Sequence, residues 1–273
     1  MKNYALIFFL LFSSACSKVD VALNFAPRYI ANSIDDAFDL NSDRYKKIKA
    51  TISQDIEKNK ITFIVKVIGY IDDVLLLAEV SDVKTEQVQE AFDKIKSLQK
   101  QAIYLFKPTF AEILMPMLKS EADYLFKYSE KKLSKTDERL NDKQKFYKHY
   151  VKSYESYMDM LFNSSNEVQD KLFHEFLDIN YDYYKYQNEF RKVFLKQFDL
   201  LFDKKSQLMD YSMRYYAGDE EIKSEEHLKK QRLFNTSVVE LALKIWKNAN
   251  PEQKVYFKKK LNGIKEELKT IIK

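Results

Sequence analysis

The sequence predicts an all-α protein, a multi-helix bundle or elongated helical stack of about seven to nine helices. Three observations carry that expectation. Glycine and proline are scarce, with three and four copies in 273 residues, whereas the turns that join strands draw heavily on both. Apolar residues recur every three or four positions through most of the chain, the period of a helix face. Small polar residues followed by an acidic residue and then an amphipathic run also recur, which is how helices start.

The first element is a leader over residues 1–15. Lys2 gives it a basic start, Tyr4 to Phe12 an apolar stretch, and Ser13-Ser14-Ala15 small residues directly before Cys16, the only cysteine of the chain. This layout is that of a bacterial lipoprotein signal peptide, although Ser13 stands where an aliphatic residue is usual. It predicts cleavage before Cys16 and lipid, palmitate included, on that residue. An ordinary secretory signal with an incidental thiol, or an uncleaved buried helix, is the alternative. The apolar stretch is too short for a bilayer, which takes about 20 apolar residues. Two or three acyl chains, at about 0.8 kcal/mol per buried methylene, hold where one is marginal. Ser17, with no Asp at that position, points to the outer membrane by analogy with the sorting of other lipoproteins.

A lipidated tether over residues 16–23 and a single helical domain over 24–273 follow. The first helix is expected to start at Asn24 as cap, with Pro27 in its first turn, where the missing amide costs nothing. Its stripe is Phe25, Ala26, Tyr29, Ile30, Ser33, Ala37 and Phe38. Asn41 or Ser42 restarts the chain, with Leu40 placed to staple onto Tyr45. The second stripe runs through Tyr45, Ile48, Ile52, Ile56, Phe63, Val67, Tyr70, Val74 and Leu77, and Gly69 is expected to kink or break it. A third helix starts near Thr85 and stops before Pro108. A short apolar segment bent by Pro116 comes next, then a helix from Ser120-Glu121, with a polar joint near 134–141.

Asn141-Asp142-Lys143-Gln144 opens the following helix, and Ser164 with Glu167 is expected to make a capping box for the next, with Val168, Leu172, Phe176 and Leu177 inward. One long aromatic helix is expected from Tyr181 to Met213, with Tyr186, Phe190, Val193, Phe194, Phe198, Leu201, Phe202 and Leu208 toward the core, ended by Gly218-Asp219. Helices from about Ser224 to Lys247, and from Asn250 as cap with Pro251 first, close the chain. Starts resembling Asn250-Pro251-Glu252-Gln253 recur at Thr85, Asn141 and Ser164, at irregular intervals that exclude a fixed-length solenoid.

Composition narrows the function classes. The net charge of +5 is spread over 46 basic and 41 acidic residues, which describes a solvated surface and gives no reason to expect nucleic-acid binding. Three glycines cannot build phosphate-cradling loops or a nucleophile elbow. The histidines His149, His174 and His227 fall on different helices. His174-Glu175 with Asp178 puts a ligand pair on one face, yet the second histidine of a zinc-protease pattern is missing. Asp35 and Asp39 share a helix face while neighbours Asp35 and Asp36 diverge by about 100°. Those pairs and Asp72-Asp73 therefore read as polar surface or helix ends, with a partner-binding acidic patch at Asp35 and Asp36 as the functional alternative. No metal, cofactor or catalytic residue is expected.

The aromatic run Tyr181, Tyr183, Tyr184, Lys185, Tyr186 is the strongest candidate surface. Aromatic and basic side chains together hold sugars, peptides or single strands. An aromatic stripe on a helix more often packs a core, but Tyr183 and Tyr184 cannot both share the face of Tyr186 and Phe190, so at least one is expected outside.

Cys16-Ser17, Leu23-Asn24-Phe25, Tyr29, the run Asp35-Asp36-Ala37-Phe38-Asp39-Leu40 and the start Asn250-Pro251-Glu252-Gln253 together resemble a family of uncharacterised all-helical bacterial lipoproteins, a domain of unknown function. Lys58-Asn59-Lys60-Ile61-Thr62 stands where such proteins often carry a Trp-His-Arg run. The resemblance implies a helical envelope lipoprotein and no particular activity. Leu40-Asn41-Ser42-Asp43-Arg44 and Leu140-Asn141-Asp142-Lys143-Gln144 are more loosely similar to the Leu-Thr-x-x-Gln starts of periplasmic stress chaperones.

The expected function is thus a non-enzymatic, lipid-anchored protein of the bacterial envelope, moored through Cys16. It is expected to bind an envelope protein or peptidoglycan through helix faces. The alternatives are a chaperone-like binder of unfolded envelope proteins and an enzyme acting on the envelope through an unrecognised helical site.

Overall fold

The computed structural model describes residues 19–273, and among these every regular element is a helix. The leader, Cys16 and the start of the expected tether lie outside the described residues. Ten α-helices follow in order: α1 (Val19–Phe38), α2 (Ser42–Leu77), α3 (Thr85–Leu105), α4 (Lys107–Leu114), α5 (Lys119–Asn141), α6 (Lys143–Phe162), α7 (Glu167–Leu200), α8 (Lys205–Tyr216), α9 (Glu225–Lys247) and α10 (Pro251–Ile271). A short 3-10 turn, Glu220–Ile222, precedes α9. Ten exceeds the expected seven to nine, and one cause is a break inside the stretch expected to be continuous from Tyr181 to Met213.

That break at 201–204 contains neither glycine nor proline. Leu201 and Phe202 turn inward instead, packing against a core that includes Phe194, Phe198 and Leu208. The amide of Phe202 bonds Asp199 O at 3.0 Å and that of Lys204 bonds Leu201 O at 2.8 Å, so the helix tightens and ends. Half-burying these two large apolar side chains against the core favours the break.

Two further expectations are corrected. α1 already runs at Val19 and holds Pro27 in its interior, so 19–23 is helix where a tether was expected and Asn24 is no cap. The half-buried stripe Leu23, Pro27, Ile30, Ile34 extends back beyond the proline. Gly69 does not break α2, which runs without interruption over its 36 residues. The polar stretch 134–141 is carried on α5, whose helix runs to Asn141, and one division between the chain's two compact units falls within it, after Thr136.

Several starts form as expected. Asn41 Oδ1 accepts from the Arg44 amide at 3.0 Å, Asp142 from that of Lys145 at 3.0 Å, and Asn250 with Gln253 closes a full capping box with Pro251 first. For α7 the box is shifted: Asn166 and Gln169 exchange bonds of 3.0 and 3.1 Å, in place of Ser164 and Glu167. Val168, expected inward, consequently faces out at 52 % exposure.

The contacts divide the chain into two compact units, each drawn from three separated stretches. One takes the described part of Met1–Ile64 with Leu98–Thr136 and Asn188–Lys223; the other takes Val65–Ser97, Asp137–Gln187 and Ser224–Lys273. The first unit packs Ala31, Ile48, Ile52, Ile113, Leu114, Met117, Ala122, Phe194, Phe198 and Leu208. A remote cap joins two of its helices: the buried Asp55 carboxylate of α2 accepts both the amide and the hydroxyl of Thr109, at 3.1 and 2.6 Å, in the first turn of α4. Val193, expected in this core, is 54 % exposed.

The second unit is dominated by rings. Leu140, Phe146, Phe176 and Leu177 lie at the centre of one cluster, with Tyr150, Phe173, Tyr184 and Phe234 against them. Tyr154, Met158, Phe162 and Ala249 form another, with Trp246 and Phe257. Offset and edge-on ring pairs add about 0.5–1.5 kcal/mol each beyond their buried area; Tyr154 on Phe173, with centroids 4.1 Å apart and planes 8° off parallel, is the most nearly parallel of the stacked pairs.

Candidate partner surface

Of the run expected to form a surface, α7 turns Tyr183 and Tyr184 inward. Tyr183 is buried and stacks on Phe234 with centroids 4.1 Å apart. Tyr184 lies among Phe146, Tyr150 and Phe234. The expectation that one of them stays outside is overturned because α7 has ring-bearing neighbours from both α6 and α9, so it buries a wider arc than one stripe. Burial pushes the Tyr183 hydroxyl up to about 12 and that of Tyr184 further up, with Tyr150 and Tyr183 adding to the effect.

Tyr181 and Lys185 do reach the surface, one helical turn apart. The Tyr181 hydroxyl donates to Leu140 O at the end of α5, its ring packs edge-on against Phe146 at 4.8 Å, and Lys185 Nζ sits 4.5 Å above it. A cation over a tyrosine face is held by the ring quadrupole with about 0.5–1 kcal/mol at exposed sites.

The neighbouring start of α6 enlarges this patch. Lys143 Nζ lies 5.8 Å from the Tyr147 ring and 6.0 Å from the Tyr181 ring, and 2.9 Å from the Asp178 carboxylate of α7. Asp178 also accepts from the Tyr147 hydroxyl, and the exposed His174 ring stacks on Tyr147 at 5.6 Å. Hydrogen bonds from Tyr147 and Lys143 hold the Asp178 carboxyl below its ordinary value. Burial, with Asp178 beside it, raises Tyr147 to about 12. The result is a face on which cations, half-buried tyrosines and one carboxylate alternate.

Sequence reasoning reached His174 and Asp178 as a ligand pair but missed Lys143 and Tyr147. The available signal was three i, i+4 pairs, Lys143/Tyr147, His174/Asp178 and Tyr181/Lys185, each on one helix face. Among the described residues no group of three His, Cys, Asp or Glu side chains could hold a metal ion. His227 is buried, its ring 3.1 Å from the Gln187 carboxamide and edge-on to Tyr186.

The acidic pair on α1 is remote in role. Asp35 is half-buried and accepts from the Leu40 amide at 3.0 Å, closing the helix end. Asp36 is exposed. Asp72 and Asp73 hold Lys265 and Lys94, each at 2.9 Å. The outer face of α1 is more informative: Phe25 and Tyr29 are 60 % and 47 % exposed, with exposed Arg28 between them.

No protein family, curated protein or solved structure matches the chain. No helix among the described residues is long and apolar enough to cross a membrane.

Proposed function

We propose that this chain is a non-enzymatic lipoprotein of the bacterial envelope, moored to the outer membrane by lipid on Cys16 and binding an envelope protein or peptidoglycan through a helix face. The all-helical lipoprotein family is the relationship this reading favours. The observation that carries the binding role is the α6 and α7 face of Lys143, Tyr147, His174, Asp178, Tyr181 and Lys185. Half-buried rings there are pinned by packing, so they offer contact area at little entropic cost. Support for the anchor comes from the leader's layout and from Phe25, Arg28 and Tyr29, whose outward side chains suit the interfacial layer of a bilayer. The tyrosines Tyr150, Tyr183 and Tyr184 are packed among other rings, which favours this reading over a chaperone that holds clients on an aromatic concave surface.

Two measurements test it. Mass spectrometry of the native protein is expected to find residue 16 as the first residue, carrying diacylglycerol and an amide-linked acyl chain, with Cys16→Ser releasing the protein from membranes. A photo-crosslinking side chain at Lys185 is expected to give a discrete adduct in cells, with an envelope protein or muropeptides, that the same group at exposed Asn262 does not give. An unmodified cysteine would remove the anchor, and equal labelling from both positions would remove the binding face.

A further inference from the structure

One segment of α2 is apolar on every side. From Ile61 to Ile71, Thr62 and Lys66 are the only residues that are neither apolar, aromatic nor glycine. Ile64, Val67 and Ile71 are buried, whereas Ile61 and Val65 on the opposite side are more than half exposed. A helix that is hydrophobic all round is normally covered all round, so the open side of this segment points to a second molecule. Gly69 lies on that same side. It is exposed, and a side chain there would meet nothing within 4 Å. Glycine weakens a helix interior, yet here it makes no turn and relieves no crowding within the chain, since α2 passes it uninterrupted. The remaining use of such a residue is to let another backbone come close.

The charges on this side fit a copy of the chain itself. Lys58, Ile61, Val65, Gly69 and Asp72 lie on one continuous helix, and at 3.6 residues per turn they share an arc of about 80°. Lys58 and Asp72 stand seven positions to either side of Val65, and Ile61 and Gly69 stand four. Two such helices laid antiparallel across Val65 therefore bring each Lys58 level with Asp72 of the second copy, and each Ile61 level with its Gly69. A parallel pair would instead set Lys58 against Lys58. Lys58 is exposed. Asp72 holds Lys265 through Oδ1 at 2.9 Å and keeps nearly half of its side chain in solvent, which leaves it open to a second cation.

We propose that the open side of α2 is the two-fold interface of a homodimer, in which two copies cross antiparallel at Val65. The surface is its own complement, as an isologous contact requires. Ile61 and Val65 supply the apolar centre, Gly69 leaves room for the facing helix to approach, and the two Lys58–Asp72 pairs at the rim select the orientation. The interface uses neither the α6 and α7 face nor Cys16.

The test is sedimentation equilibrium of the full-length protein in density-matched detergent. A monomer–dimer equilibrium is expected. Gly69→Leu should abolish it while keeping the fold, since the space beside Gly69 is empty within its own chain, and circular dichroism checks that the helix signal is kept. Lys58→Asp should weaken the dimer by about tenfold or more, because it sets like charges against each other. Adding Asp72→Lys to that variant should restore the dimer, a recovery that separate structural roles for the two residues would not give. Single cysteines read the register. Val65→Cys is expected to give a disulfide-linked dimer on mild oxidation, above the background set by Cys16 in the parent. Exposed Leu76→Cys is not, because in this crossing it lies about 33 Å along the helix from its counterpart. A protein that is monomeric throughout, a dimer that Gly69→Leu leaves intact, or equal disulfide yields at positions 65 and 76 would overturn the interface.

Discussion

The side chain of Gln253 donates from Nε2 to Oε1 of Gln169 at 3.0 Å, joining two residues 84 positions apart in the chain. Each glutamine also closes its own helix start: Gln169 Oε1 accepts the Asn166 amide and Gln253 Oε1 accepts the Asn250 amide, both at 3.0 Å. The remaining donors reach main-chain carbonyls, Ser164 O at 2.8 Å from Gln253 and Ile245 O at 3.1 Å from Gln169. Two capping boxes are therefore interlocked in a buried polar network at the starts of α7 and α10 and the end of α9.

Because both glutamines are buried, truncation strands several partners. Gln253→Ala and Gln169→Ala are each expected to lower stability by about 2–4 kcal/mol. The double variant should lose less than the two together, with a coupling of about 1 kcal/mol. Urea unfolding followed by far-ultraviolet circular dichroism checks both statements, and strict additivity would show that the bridge contributes nothing of its own.

Asp55→Ala removes the remote cap on α4. The loss of two hydrogen bonds to a buried carboxylate and of a helix cap is expected to cost about 2–3 kcal/mol. Hydrogen exchange should quicken first at the amides of Thr109 to Ile113, a local signature that a general loss of packing would not produce.

Alkaline pH should unfold this protein before it ionises its interior. Tyr70, Tyr147 and Tyr183 are raised to about 12, chiefly by burial, and Tyr215 is raised by burial as well. The unfolded chain ionises near 10. A folded value above the unfolded one means full stability below about pH 10, declining as the pH rises through 12. Absorbance at 295 nm should show these buried tyrosines ionising only together with loss of helix signal. A single smooth titration of all tyrosines in a helical protein would contradict this.

Lys185→Glu separates binding from folding. Its side chain is exposed and lies over the outer face of Tyr181, so stability should change by no more than about 0.5 kcal/mol. Adducts formed from a crosslinker at Tyr147 should fall severalfold. Tyr181→Ala would be uninformative alone, because it also removes a packed ring and the bond to Leu140 O.

Element type was legible wherever the signal is local. Asn41, Asp142 and Asn250 cap helices because a short polar acceptor precedes an amphipathic run, and Pro251 sits where its missing amide is harmless. What was misread depends on distant partners. Ser164/Glu167 and Asn166/Gln169 fit the same capping template, and the choice is made by Gln253, which lies 84 positions beyond Gln169. The break after Leu200 carries no turn residue, since it follows from where Leu201 and Phe202 find a core. Tyr183 and Tyr184 both go inside because α6 and α9 cover two sides of α7, a fact no single-helix periodicity contains. The patch was half visible through Tyr181, Lys185, His174 and Asp178, while its α6 half needed the pairing of two helices.

The threading of the chain constrains how it is made. Each compact unit needs Val65–Ser97 or Leu98–Thr136 together with stretches that end only at Lys273 or Lys223. The second unit cannot close before α10 has been made, because Phe257 of that helix stacks on Phe162 of α6. With loops this long to close late, no contiguous fragment of this protein should fold as either half.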